Sequence, residues 1–112
     1  MGISTHILDT ALGRPAAWVP VVLSIAEGGG WIELHATSTD EDGRCKQLLP
    51  ESHLLRTAHY KIRFATADYY KLQMVEGLYP CVEITFTVTN TEQHYHVPLL
   101  LTANGYTTYR GS

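Results

Sequence analysis

The stretch "CVEITFTV", Cys81–Val88, alternates without a break: Val82, Ile84, Phe86 and Val88 take one side, and Glu83, Thr85 and Thr87 the other. Successive side chains on a pleated backbone point to opposite faces, so a period of two marks a half-buried strand. The same period recurs along the chain. "HYKIRF" sets Tyr60, Ile62 and Phe64 against His59, Lys61 and Arg63. "VPVVLSIA" groups Val19, Val21, Leu23 and Ile25, and "WIELHA" groups Ile32, Leu34 and Ala36. "ISTHILD" and "HYHVPLLL" read as two more strands, and "GYTTYR" as a short last one. Between them lie "LGRP", "EGGG", "DEDGR", "LLPES", "LYP", "TNTE" and "ANG", all rich in turn-forming residues. Only "TADYYKLQM" departs from the pattern. Thr66 is an N-cap candidate, Asp68 falls in the first turn and Gly77 follows the end, so a single short helix is expected. Seven or eight short strands with frequent turns predict an all-β sandwich in one domain spanning residues 1–112.

Composition narrows the class. Hydrophobic residues make up 45% and charged residues 17% of the 112, the balance of a folded chain. The formal net charge is −3 with no basic block, so nucleic acid is not an expected partner. No apolar run approaches the roughly 20 residues a membrane helix needs, so no membrane partner is expected. The start "MGISTHILDT" lacks a basic segment followed by an apolar one. Cys45 and Cys81 alone make no disulfide framework. Together these features predict a cytoplasmic protein.

Two strands carry chemistry on the side away from the core. In "HYHVPLLL", Tyr95, Val97, Leu99 and Leu101 form one face, leaving His94, His96, Pro98 and Leu100 on the other. In "ISTHILD", Ile3, Thr5 and Ile7 oppose Ser4, His6 and Leu8. Leucines beside histidines imply that this second face is covered too, by another subunit. Pro98 has no N–H for a ladder, so an edge or an irregularity is expected near it. Histidine is the side chain that exchanges protons near neutral pH, although a lone histidine is more often a surface or partner-bonded group. His94 and His96 make an H-x-H pair, short of the three or four ligands of a zinc site, and no metal is expected. Arg44, in "DEDGRC", is either a solvated turn residue or an anion clamp, because guanidinium presents a fork of donors to an oxygen-rich group. Cys45 reads as a buried strand residue rather than a nucleophile, and Ser112 lies in no nucleophile motif. Trp18 and Trp31 read as packing residues, and Asp9 as a turn-bonding group.

Four segments together are more specific: "THILDTALGRPA" (5–16), "DEDGRC" (40–45), "HYHVPLLL" (94–101) and the terminal "GYTTYRGS" (105–112). They resemble the transthyretin-related proteins, in their enzymatic branch, the 5-hydroxyisourate hydrolases. The similarity also takes in "KIRFATADYY" and "YPCVEITF". The resemblance implies a transthyretin-like sandwich of two four-stranded sheets with one short helix. It implies a homotetramer, a dimer of dimers, with sites where dimers meet. It implies hydrolysis of 5-hydroxyisourate, the product of urate oxidation, without a cofactor. Carried over position by position, it implies catalytic roles for His6, Arg44, His96 and Ser112, and substrate contacts from His6, Arg44, Tyr109, Arg110 and Gly111. A carrier without catalysis, as in transthyretin proper, is the alternative.

Overall fold

The alternating segments pair into two sheets, which the computed structural model describes over residues 2–112. In chain order the elements are β1 (Ile3–Asp9), β2 (Arg14–Pro15), β3 (Pro20–Glu27), β4 (Gly30–Ser38), β5 (Arg44–Cys45), β6 (Ala58–Phe64), α1 (Thr66–Leu72), β7 (Val82–Val88), β8 (Tyr95–Thr102) and β9 (Gly105–Thr108). One sheet runs β4-β3-β6-β7, and the other runs β2-β1-β8-β9 with β5 added on β1. The second sheet therefore has five strands rather than four. The two-residue segments β2 and β5 both hold β1, each along a different part of it.

The core lies between the sheets and contains the residues the alternation selects. Val21, Leu23, Tyr60, Ile62, Phe64 and Val88 come from one sheet, Ile3, Ile7 and Leu99 from the other, and Val19 from the segment just before β3; all are fully buried. Apolar area removed from water at about 25 cal/mol per Å² is the main favourable term here.

β4 departs from the expected alternation. The β3–β4 register shifts between Leu23 and Ser24. A bulge adds one residue to one strand and inverts which side chains face inward beyond it. Ile32 pairs with Ile25, but further along His35 and Thr37 sit opposite Leu23 and Val21 on the core side, leaving Ala36 exposed. The helix begins at Thr66 itself, with Ala65 in the cap position and no side-chain cap bond, so Thr66 is not the N-cap. Trp18 and Trp31 are not core residues. Trp18 is 63% exposed with a backbone φ of 61°, and Trp31 lies under Lys61 Nζ, 4.6 Å from its ring centroid. Both cysteines are free thiols.

The parallel pairing of β1 with β8 decides where function can sit. Its register matches Ser4 with His96, His6 with Pro98 and Leu8 with Leu100. A strand near the start of the chain thus lies beside one near its end. The polar faces that alternation assigns to each become one surface on the outside of the sandwich.

Candidate active site

β5, β1 and β8 lie side by side on that outer surface. His6 is matched with Arg44 across β1–β5, so both side chains share a face, and His96 lies one diagonal step away beside Ser4. A shallow cavity of about 280 Å³ is lined by Ser4, Thr5, Arg44, Lys46, His94, His96 and Ser112.

The loop before β5 is built to present Arg44. Asp40 Oδ1 accepts the N–H groups of Asp42 and Arg44, both at 2.9 Å, in an Asx turn. Gly43 has φ +74°, and a Cβ there would stand 2.5 Å from the Ile7 carbonyl oxygen. Only glycine permits that approach, and it lets the Ile7 N–H reach the Gly43 carbonyl at 2.8 Å, clamping the loop to β1. The same loop fixes His6, whose Nε2 lies 3.0 Å from the Asp42 carbonyl oxygen. A carbonyl only accepts, so neutral His6 carries its proton on Nε2 and keeps a lone pair on Nδ1.

His96 is held from two sides. Ser4 Oγ lies 2.7 Å from its Nδ1 and 2.8 Å from His94 Nε2. On the other side the C-terminal tail closes over it. β9 leaves the ladder after Thr108, and Gly111 rejoins β8 by donating its N–H to the His96 carbonyl at 2.9 Å. Pro98, buried within the central strand β8, falls in this gap. Its missing donor is accommodated where the ladder is interrupted, and its carbonyl accepts the Thr108 hydroxyl at 2.8 Å. A Cβ on Gly111 would meet His96 Cδ2 at 2.5 Å, so the tail can lie on the ring only with glycine there.

Electrostatics favour neutral histidines. His6 is lowered from the ordinary histidine value of 6.5, first by burial and then by Arg44. His96 is lowered too, by burial, then by His6, Arg44 and His94. A neutral imidazole beside a guanidinium can accept a proton from water while the cation faces developing negative charge. The Cys45 thiol is pushed up to about 11 by burial, which keeps it from acting as a thiolate.

The structure therefore brings His6, Arg44, His96, Gly111 and Ser112 onto one surface. Tyr109 and Arg110 do not line that cavity. Gly111 faces His96, so by strand alternation Arg110 points to the opposite side of the sheet, where it remains exposed. Its guanidinium stacks 4.4 Å from the Tyr95 ring centroid and donates to Gln93 Oε1 at 3.0 Å. Both residues line a neighbouring cleft with Ile84, Phe86 and Tyr95, which shares His96 with the first cavity. Ser4 and Lys46 join the site without having been singled out in the sequence. For Ser4 the available signal was its place two residues before His6, on the same face. Among the described residues, no group of three or more His, Cys, Asp or Glu side chains is placed to hold a metal ion.

Comparison with known proteins bears on this arrangement. A model of the HIUase/Transthyretin family matches residues 3–111. A 5-hydroxyisourate hydrolase of Mus musculus is 46% identical over 112 residues, covering 98% of this chain and 94% of the relative. Among solved structures, the 5-hydroxyisourate hydrolase of Klebsiella pneumoniae superposes with a TM-score of 0.85 at 30% identity, covering 98% of this chain and 92% of the other. Sea bream transthyretin in complex with thyroxine superposes with a TM-score of 0.92 at 27% identity, covering 99% and 95%. With the match spanning nearly every residue and the same sandwich in both solved relatives, the chain belongs to the HIUase/Transthyretin family.

Proposed function

We propose that this protein is a 5-hydroxyisourate hydrolase acting in urate degradation, as a single transthyretin-like hydrolase domain. The observation that carries the reading is the convergence of two neutral-favouring histidines, His6 and His96, with Arg44 and the chain terminus on one surface. The near full-length likeness to hydrolases named for this reaction supplies the substrate.

Water adds to a ring amide carbonyl of 5-hydroxyisourate. A neutral histidine takes the water proton, Arg44 faces the oxyanion, and the amide C–N bond breaks as the proton passes to the leaving nitrogen. The product is a carboxylated ureidoimidazoline, 2-oxo-4-hydroxy-4-carboxy-5-ureidoimidazoline. Positioned general-base catalysis contributes roughly 10²–10⁴-fold, and a donor aimed at the oxyanion about 3–4 kcal/mol. Tyr109, Arg110 and Gly111 complete the substrate contacts from the tail, and Arg110, held by Tyr95 and Gln93, anchors the segment that lays Gly111 and Ser112 over His96. Four copies assemble as a dimer of dimers, the outer face of one dimer closing the site of the next. The cytoplasm is the proposed compartment.

5-Hydroxyisourate generated by urate oxidase and followed by its ultraviolet decay tests the reading. The protein should accelerate that decay well beyond the spontaneous rate, and unaltered decay with thyroxine-like ligand binding would favour a carrier instead. His6→Asn and His96→Asn should each lower kcat by roughly 10²-fold or more while leaving the thermal midpoint nearly unchanged. Full activity in both variants would remove the histidines from the mechanism.

A further inference from the structure

The hydrogen bonds that link His96 through Ser4 to His94 have no part in the mechanism above. Ser4 is only 8% exposed, and its single hydroxyl lies between two imidazoles, at 2.8 Å from His94 Nε2 and 2.7 Å from His96 Nδ1. A hydroxyl has one proton to give. It must therefore donate to one ring and accept from the other, and only two proton patterns satisfy it. In the first, His96 Nδ1–H donates to Ser4, Ser4 donates to His94 Nε2, and His96 Nε2 keeps its lone pair. In the second, His94 Nε2–H donates to Ser4, Ser4 donates to His96 Nδ1, and His96 Nε2 carries the proton. Among the described residues no protein group bonds His96 Nε2.

We propose that Ser4 is a positioning residue that sets the tautomer of His96, and that Ser4 and His94 form a proton path between the His96 ring and solvent. The proposal rests on His96 being the general base. Only the first pattern leaves a basic nitrogen free. As Nε2 takes the proton from the attacking water, the Nδ1–H bond breaks and its proton passes to Ser4 Oγ. The Ser4 proton passes to His94 Nε2, and exposed His94 releases its Nδ1 proton to bulk water. His96 ends neutral, in the second pattern, with a proton on Nε2. Delivery of that proton to the leaving nitrogen runs the same transfers backwards, with one proton drawn in through His94. Each N–H or O–H bond broken in one half is remade in the other, and no oxidant or second reactant is needed. The path has a physical motive. An imidazolium at His96 would be desolvated by burial and would stand near His6, Arg44 and His94, and its lowered proton affinity reflects both, burial first. Relay through Ser4 lets His96 exchange protons on one side while never holding two.

Histidine-labelled protein read by ¹⁵N NMR at neutral pH, together with kcat, tests this. His96 in the native protein should be the neutral Nδ1–H tautomer. Ser4→Ala should redistribute it toward Nε2–H and lower kcat about tenfold or more with KM within about twofold, and Ser4→Thr should restore both. His94→Ala, at an exposed site, should lower kcat several-fold. An Nε2–H tautomer in the native protein, or an unchanged kcat in Ser4→Ala, would overturn the positioning role, and an unchanged kcat in His94→Ala would overturn the path. Should Ser4→Ala not fold, the native tautomer and His94→Ala still decide. Activity retained in His96→Asn would instead sink the base assignment, leaving the tautomer reading of Ser4 to be judged by NMR alone.

Discussion

A histidine serves as a base only while it is neutral, and the environment of this pair protects that state. For His6 the largest influence is burial, followed by the Arg44 charge, opposed by the bond to the Asp42 carbonyl and by Asp40 and Asp42. For His96 burial again leads, and every neighbouring charge acts in the same direction. Both are lowered from 6.5, so as pH falls from 8 to 6.5 each remains mostly unprotonated. The acid limb of the rate should therefore be centred below 6.5, as the histidines acquire protons. A profile of kcat against pH checks this, and an acid limb centred at or above the ordinary histidine value of about 6.5 would contradict it. Linkage gives the same sign for stability. Unfolded histidines take up protons near 6.5, before the folded ones do. The stabilisation they contribute is complete above that pH and is lost as pH drops through their lower folded values.

The C-terminal tail shows how one element can be strand and site at once. Gly111 returns to the β8 ladder by its bond to the His96 carbonyl, and its Cα rests against the imidazole. Gly111→Ala would place a methyl 2.5 Å from His96 Cδ2, so either the ring or the tail must move. An ångström of displacement at a catalytic group costs on the order of 10²-fold. We expect kcat/KM to fall by about that factor while the melting temperature changes by only a few degrees, because the tail lies outside the main core. Wild-type activity in the variant would mean that ring placement does not matter. This geometry also marks how far the sequence could be read. Alternation identified β1, β3, β6, β7 and β8 and the sides of His6 and His96, because period two is a local property of the chain. The turn chemistry around Asp40 and Gly43 was equally visible. The inversion along β4 was not, since a bulge depends on the partner strand. Nor was the turn of Arg110 to the opposite side of the sheet. Its direction follows from the bond between Gly111 and His96, residues that no local pattern connects.

The sandwich as a single copy leaves its chemistry on an open outer surface. Leu8 and Leu100, matched across β1 and β8, sit half-buried on the same face as His6 and His96. The cavity beside them is shallow, and a hydrolase that stabilises an oxyanion gains from excluding bulk water, because charge interactions strengthen as the local dielectric falls. A second copy packed on this face would supply that exclusion and would cover the half-buried leucines. Leu100→Glu separates this arrangement from a self-sufficient protomer. Within one copy the side chain is only partly covered, so a carboxylate there can reach water and the fold should survive, with near-native circular dichroism. In the proposed tetramer the same carboxylate would be enclosed unpaired, which costs several kcal/mol. Light scattering should then report a species smaller than the tetramer, and hydrolysis should fall with it, recovering in part as protein concentration rises. A tetramer of unchanged mass, or a smaller species with full activity, would show that the outer face acts alone.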